Sequence, residues 1–360
     1  MMKRYEYYTD FNWSYNPFTL TISPQLMVGY PSQTNKLLSH IFNSHKLALV
    51  IGHTGSGKTT LLTWATNFIN DSKRDFRAYY IPKPPKTRGD LSNLFKSLFG
   101  YNILDSFRFK DLNTHLLPRF LVKKTRHDKA VILIDEAHEA SIEVLEWLRT
   151  LNDMVPNLLI IFAGLPSFEK KIEAELSTLS MRVTTKVYLK SLNFVETESL
   201  IRKRIECANG DGLKPFTNNS VKRIFEASGG FPREVIKICD SLIKEAAEKN
   251  ISTINETFTN QLFTSKSEKF ETPTSEEIKI FISDKQRKIL DILNKEPKLS
   301  PSKIVENMDK GSYKNKNNAV RSVNNILKRL MRDEFVERNR IGNSYVYFLS
   351  GKAKSILAEA

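Results

Sequence analysis

Gly52-His53-Thr54-Gly55-Ser56-Gly57-Lys58-Thr59 is the stretch on which the fold turns. A short apolar run, Lys46 to Ile51, leads into it, and Leu61-Leu62-Thr63-Trp64-Ala65 follows at a spacing a helix can use, so the order is strand, loop, helix. The residues satisfy G-x-x-x-x-G-K-[ST] in full, in the context that gives this pattern its chemistry. Glycines let main-chain N–H groups turn toward phosphate oxygens, and the helix presents its partly positive N-terminus to the same anion. Gly52, His53, Thr54, Gly55, Ser56, Gly57, Lys58, Thr59 and Thr60 are therefore the expected nucleotide-binding residues. Lys58 is suited to reach the β- and γ-phosphates of ATP, and the Thr59 hydroxyl to ligate Mg2+. The competing reading is a glycine-rich turn with a chance lysine.

A second run, Ala130-Val131-Ile132-Leu133-Ile134-Asp135-Glu136, is a buried strand ending in two carboxylates. A hard cation takes one or two protein oxygens and keeps several waters. Asp135 is thus expected beside Mg2+ and Glu136 beside the attacking water. The alternative is two solvent-facing loop residues. Further strand-like runs are Arg77 to Ile81, Leu158 to Ala163 and Val183 to Leu189, with helical periodicity between them. Strands alternating with helices predict a parallel sheet covered on both faces.

From Asn193 to Glu248 the strand-like runs stop and apolar residues recur at helical spacing, as in Leu200, Ile201 and Ile205. Residues 251–280 are rich in Ser, Thr, Asn and Glu, which reads as a linker. The expected division is 1–190 for the core, 191–250 for a small helical unit, 251–280 for the linker and 281–360 for a third domain.

Asp135-Glu136-Ala137-His138, then Leu145-Glu146-Trp147-Leu148-Arg149, then Ala163-Gly164-Leu165-Pro166 resemble the corresponding run of AAA+ ATPases. The likeness is to the branch holding the ExeA-type and transposition-associated ATPases and, more distantly, to the archaeal origin-recognition initiators. It covers about residues 10 to 245. The resemblance implies an α/β fold, a five-stranded parallel P-loop core with a helical lid over it. It also implies that Arg182 contacts the γ-phosphate on a neighbouring subunit, and that Arg233, in Gly229-Gly230-Phe231-Pro232-Arg233, reads the nucleotide of its own. A guanidinium suits both, being always charged and fork-shaped. The alternative for each is a surface salt bridge. Family members commonly carry a polar residue at the end of the fourth strand, where this chain has Ala163-Gly164-Leu165, so either slow hydrolysis or substitution by Ser167 or another group is expected. Phe11-Asn12-Trp13-Ser14-Tyr15-Asn16-Pro17-Phe18 with Val28-Gly29-Tyr30 resembles the family's N-terminal strap over the adenine; the alternative for its aromatics is core packing.

The 360 residues carry a net charge of +15. Residues 281–360 hold about 17 Lys/Arg against about 9 Asp/Glu, about half of that excess. There, Ser283-Asp284-Lys285-Gln286 reads as a capping box and Ser300-Pro301 as a second helix start. A third helix is predicted from about Asn317 to Asp333, then strands at Phe335 to Arg340 and Ser344 to Leu349 around the turn Ile341-Gly342-Asn343. Three helices and a basic hairpin look like a winged helix-turn-helix, with duplex DNA as the expected partner. Lys314, Lys316, Asn317, Asn318 and Arg321 near the third helix, and Arg338 and Arg340 on the hairpin, are the expected DNA contacts. Docking of a protein partner is the alternative, in a signalling or assembly ATPase. A small-molecule kinase is disfavoured by the helical lid and tail. An ATP-dependent homo-oligomer is expected from the place of Arg182. The longest apolar runs are too short to span a bilayer, so a cytoplasmic protein without membrane attachment is expected. Cys207 and Cys239 have no metal or disulfide spacing and are expected to be buried.

Overall fold

The computed structural model describes residues 6–72, 74–103, 105, 109, 115–265, 284–296, 298–308, 316–332, 335–341, 344–350 and 353. They belong to two units, Met1–Lys266 and Ser267–Ala360.

The first unit is built on β1 (Leu47–Gly52), β2 (Phe76–Ile81), β3 (Lys129–Ile134), β4 (Leu158–Gly164) and β5 (Thr185–Leu189). All pair in parallel, in the order β2-β3-β4-β1-β5. β1 and β4 are buried at every position, which is why their sequences are unbroken apolar runs with no alternation. Side chains alternate between two covered faces. Leu49, Ile132, Ile160 and Phe162 join Phe95, Phe120, Leu145 and Leu148 from the helices Arg88–Leu98, Leu117–Lys124 and Ile142–Met154. Helix Lys58–Asp71 packs against β2, and Pro31–Phe42 against β5. The helix starts are fixed locally: Thr87 and Asp90 form a reciprocal capping box, as do Asn193 and Glu196.

The lid comprises Phe194–Cys207, Asn218–Ser228 and Pro232–Glu248. Within the 251–280 stretch that composition marks as a linker, Glu256–Ser265 is a helix packed against Asn218–Ser228, with Phe258, Thr259 and Leu262 buried. Its polar sequence hides the contact because only one narrow stripe faces inward. Cys239 is buried as expected, whereas Cys207 is exposed. Helix Phe194–Cys207 ends at that residue, and Ala208 takes the inward position.

The N-terminal aromatics pack on the lid. Trp13 and Phe18 are buried, Phe18 meets Phe216 edge to face, and a Cβ on Gly210 would lie 2.4 Å from Trp13 Nε1. Arg204, itself buried, donates to the carbonyls of Pro17 and Thr19, and Tyr7 and Asn16 both donate to Asp240.

The second unit contains helices Asp284–Lys295, Pro301–Glu306 and Lys316–Arg332 and the antiparallel strands β6 (Val336–Ile341) and β7 (Ser344–Leu349). Ile289, Leu293, Ile304, Val323, Leu327, Leu330, Val336, Tyr347 and Leu349 form its core. Leu299 bridges Tyr347, adding a short third rung to the hairpin. Ser300 caps the second helix through Lys303 N, as its sequence predicts. Among the described residues no helix is long and apolar enough to cross a membrane.

Candidate nucleotide site

β1 delivers the chain to the loop 52–57 at the C-terminal edge of the sheet, where crevices form between strands that diverge to opposite faces. Gly55 and Gly57 have φ of +78° and +93°, conformations that glycine adopts without strain. A Cβ on Gly57 would meet nothing within 4 Å, so the turn opens onto free space directly before the helix Lys58–Asp71. Ser56 Oγ is buried without a partner among the described residues. Lys58 is 5% exposed, and its ammonium donates to the carbonyls of Gly52 at 2.9 Å and His53 at 3.0 Å. Burial lowers its pKa, Glu136 and Asp135 oppose that shift, and Arg233 adds to it.

Asp135 directly follows β3 and is 1% exposed. Its Oδ2 accepts from Thr59 Oγ1 at 2.6 Å, and its Oδ1 accepts from the main-chain N–H of Glu136 at 2.9 Å. The phosphate-loop threonine and the strand-end carboxylate, 76 residues apart, therefore converge on one point. Glu136 has a left-handed backbone, φ 49°, which turns its carboxylate out of the strand; Oε2 lies 3.3 Å from His138 Nδ1.

The lid reaches the loop through its own motif. Arg233 N donates to Gly55 O at 3.3 Å, and a Cβ on Gly55 would lie 2.9 Å from Arg233 Cβ. Phe231 meets the His53 ring edge to face. Burial and the nearby Lys58 charge lower the pKa of His53 to about 4, so its ring is neutral at physiological pH. Arg182 is elsewhere, just before β5, with Nε 2.8 Å from Asp153 Oδ1 and a further bond to the Thr178 carbonyl. Its charge is engaged within its own chain. Thr60 lies one residue into the helix that the loop opens. Ala163 and Gly164 end β4, and a Cβ on Gly164 would lie 2.8 Å from the Phe168 ring. That position is packed against an aromatic, and Ala163 and Gly164 carry no polar side-chain atom to offer a water.

Two tyrosines also belong here: Tyr80, absent from the sequence reading, and Tyr30, read there only as part of the N-terminal strap. The Tyr80 hydroxyl lies 3.2 Å from Asp135 Oδ2, and burial, with Asp135 next, raises its pKa. Tyr30, buried and at φ 63°, donates to Ser56 O at 3.1 Å and to Lys190 O, tying the loop to the end of β5. Tyr80 sits in no motif, and only the strand pairing brings it beside β3.

In the second unit, Arg321 is exposed on the third helix. Arg338 is exposed on β6 with its guanidinium 4.5 Å from the Tyr345 ring centre. Lys316, Asn317 and Asn318 begin the third helix and Arg340 lies in β6; their side chains, and Lys314 altogether, are outside the described residues.

The loop suits a polyphosphate: open space at Gly57, positive-φ glycines, a buried ammonium and a helix N-terminus meet there. The Thr59 hydroxyl and Asp135 carboxylate supply the hard oxygens that suit Mg2+.

Residues 42–172 match the family model of the AAA domain. An uncharacterized HTH-type transcriptional regulator of Methanocaldococcus jannaschii is 30% identical over 132 residues, 35% of this chain and 32% of that protein. The chain therefore matches about a third of the length of that relative. Among solved structures, the ADP form of the Aeropyrum pernix ORC2 protein aligns with a TM-score of 0.55 at 13% identity, over 95% of this chain and 96% of that one. The ORC1 protein of the same organism, in complex with DNA, aligns at 0.52 and 12%, over 95% of each chain. Cdc6p of Pyrobaculum aerophilum aligns at 0.52 and 14%, over 98% of this chain and 96% of that one. On the strand order, the loop geometry and these matches together, the chain has a P-loop AAA+ fold of the kind seen in archaeal ORC and Cdc6 proteins, within which residues 42–172 match the AAA domain.

Proposed function

We propose that this protein binds ATP with Mg2+ at the loop 52–59 and Asp135, hydrolyses it slowly, and uses nucleotide state to control how its second unit engages duplex DNA. The observation that carries the first part is the 2.6 Å bond between Thr59 and Asp135 beside a buried, phosphate-ready Lys58. Mg2+, when bound, neutralises developing charge on the phosphates. Lys58 holds the β- and γ-phosphates, Thr59 and Asp135 hold the metal shell, and Glu136 orients the attacking water and takes its proton. Arg233 senses whether the γ-phosphate is present, since its backbone already rests on Gly55.

The DNA part rests on the basic second unit, on its three helices and hairpin, which we read as a winged helix-turn-helix, and on the likeness to proteins named as an HTH-type regulator and as an ORC1 protein bound to DNA. A cytoplasmic setting is proposed with it. Arg182 acts on a neighbour's nucleotide in this proposal only after leaving Asp153. Mixed Arg182→Ala and Lys58→Ala chains should then recover part of the hydrolysis, and no recovery at any ratio makes Arg182 structural.

The deciding experiment titrates labelled ATP and duplex DNA on the full chain. Lys58→Ala should abolish ATP binding, and Glu136→Gln should keep binding while slowing turnover at least about tenfold. Wild-type ATP affinity in Lys58→Ala overturns the site. DNA affinity that is absent, or unchanged by ATP, overturns the coupling and favours a protein partner for the second unit.

A further inference from the structure

Asp135 is a buried carboxylate, and a buried charge is tolerated only when its oxygens are well supplied with donors. Two donors come from the motifs themselves, Thr59 to Oδ2 and Glu136 N to Oδ1. The third does not. Tyr80 stands next to last in β2, in register with Leu133 of β3, two residues before Asp135. Neighbouring side chains on a strand point to opposite faces. Tyr79 accordingly turns its ring to Phe99, centres 4.8 Å apart, while Tyr80 turns the other way and brings its hydroxyl to 3.2 Å from Asp135 Oδ2. Two hydroxyl donors thus share one carboxylate oxygen.

We propose that Tyr80 is a positioning residue for the divalent cation: its hydroxyl, acting through Asp135, fixes the rotation of that carboxylate and so sets the affinity of the site for Mg2+. Glu136 N anchors Oδ1, but Thr59 alone would hold Oδ2 through a hydroxyl that the metal also uses; the Tyr80 donor holds Oδ2 in place independently of Thr59 and leaves the remaining lone pairs aimed where Thr59 is. Tyr80 needs no contact with nucleotide for this. Partners of metal-ligating carboxylates commonly change metal affinity by tenfold or more when removed. The proposal rests on the ATP and Mg2+ reading above, and its test separates the two.

Binding of a fluorescent ATP analogue to the full chain is measured against Mg2+ concentration and again in EDTA, for wild type, Tyr80→Phe and Tyr79→Phe. Thermal unfolding without ligand checks that each variant folds. Tyr80→Phe should raise the Mg2+ concentration for half-maximal effect about tenfold while the affinity measured in EDTA stays as in wild type. Tyr79→Phe, which removes a hydroxyl from the opposite face, should leave both unchanged. An unaltered Mg2+ requirement in Tyr80→Phe overturns the proposal and leaves the ATP site standing. An equal loss with and without metal also overturns it, because Tyr80 then supports the loop as a whole. No nucleotide binding by the wild type overturns the ATP reading together with this one.

Discussion

Single side chains carry two kinds of charge economy in this chain. At the phosphate loop, the buried Lys58 and Asp135 side chains each have oxygen or hydroxyl partners within 3.2 Å. At the opposite end of the sheet, His40 is buried as a neutral ring, its Nδ1 2.9 Å from Thr185 Oγ1 and its face tilted against His45. Burial, with His45 adding to it, lowers its pKa to about 4. An unfolded histidine titrates near 6.5, so between those values the unfolded chain binds more protons. The stability held by neutral His40 is intact above about pH 6.5 and is lost progressively toward about pH 4, by up to about 3 kcal/mol. Thermal unfolding should therefore shift down between about pH 7 and about pH 5. His40→Asn, which keeps a partner for Thr185 without titrating, should show a clearly smaller shift. An identical shift in the variant would assign the acid sensitivity to other groups, such as His53, whose pKa is lowered in the same direction.

Among the elements, the turn between the last two lid helices has the least freedom. Gly230 has φ +74°, and a Cβ there would lie 2.1 Å from the Leu192 carbonyl oxygen, whose own N–H donates to Gly230 O. Only glycine fits, because both the backbone conformation and the contact exclude a side chain. This turn leads through Phe231 and Pro232 to Arg233, so it sets where the lid touches Gly55. Gly230→Ala should therefore lower ATP affinity as well as stability, by about 1 to 3 kcal/mol of the latter. The comparison that isolates the cause is Gly229→Ala, which faces only Phe231 at 3.7 Å or more. It carries the same left-handed strain, φ +57°, without the backbone clash. Equal ATP affinities in the two variants would show that strain alone, and not the seat of the lid, accounts for the loss.

At the scale of the whole molecule, the proposed ATP site in one unit is joined to a second unit whose residues 281–360 hold about half of the charge excess. If Arg338 contacts DNA phosphates, Arg338→Ala should weaken binding to all duplexes alike. The slope of log affinity against log salt should then become shallower by about 0.9. Arg321, exposed on the third helix, is the contrasting case. Its replacement by alanine should cost about 1 to 3 kcal/mol chiefly on a preferred sequence. Fluorescence anisotropy of the full chain over a range of salt concentrations measures both. A salt slope unchanged in Arg338→Ala would move the phosphate contacts off the hairpin.

Most of the architecture was legible in the chain because its signals are local. Short unbroken apolar runs bounded by loop residues read as strands buried on both faces, a glycine-rich loop between strand and helix has one dominant use, and Ser300-Pro301 is a local helix-start signal. What the sequence could not contain is pairing between distant segments. The order β2-β3-β4-β1-β5 brings Tyr80 beside Asp135, and the fold of the lid brings Arg233 onto Gly55. The same folding gives Arg182 to Asp153 and makes a packed helix of Glu256–Ser265 from residues whose composition reads as linker. Periodicity and motif report what each segment prefers alone, so the sequence by itself determined the phosphate loop, its acidic partner strand and the helical lid. Which side chains share a carboxylate, or lose their charge to a neighbour, depends on contacts tens of residues apart in the chain, and those only the tertiary structure decided.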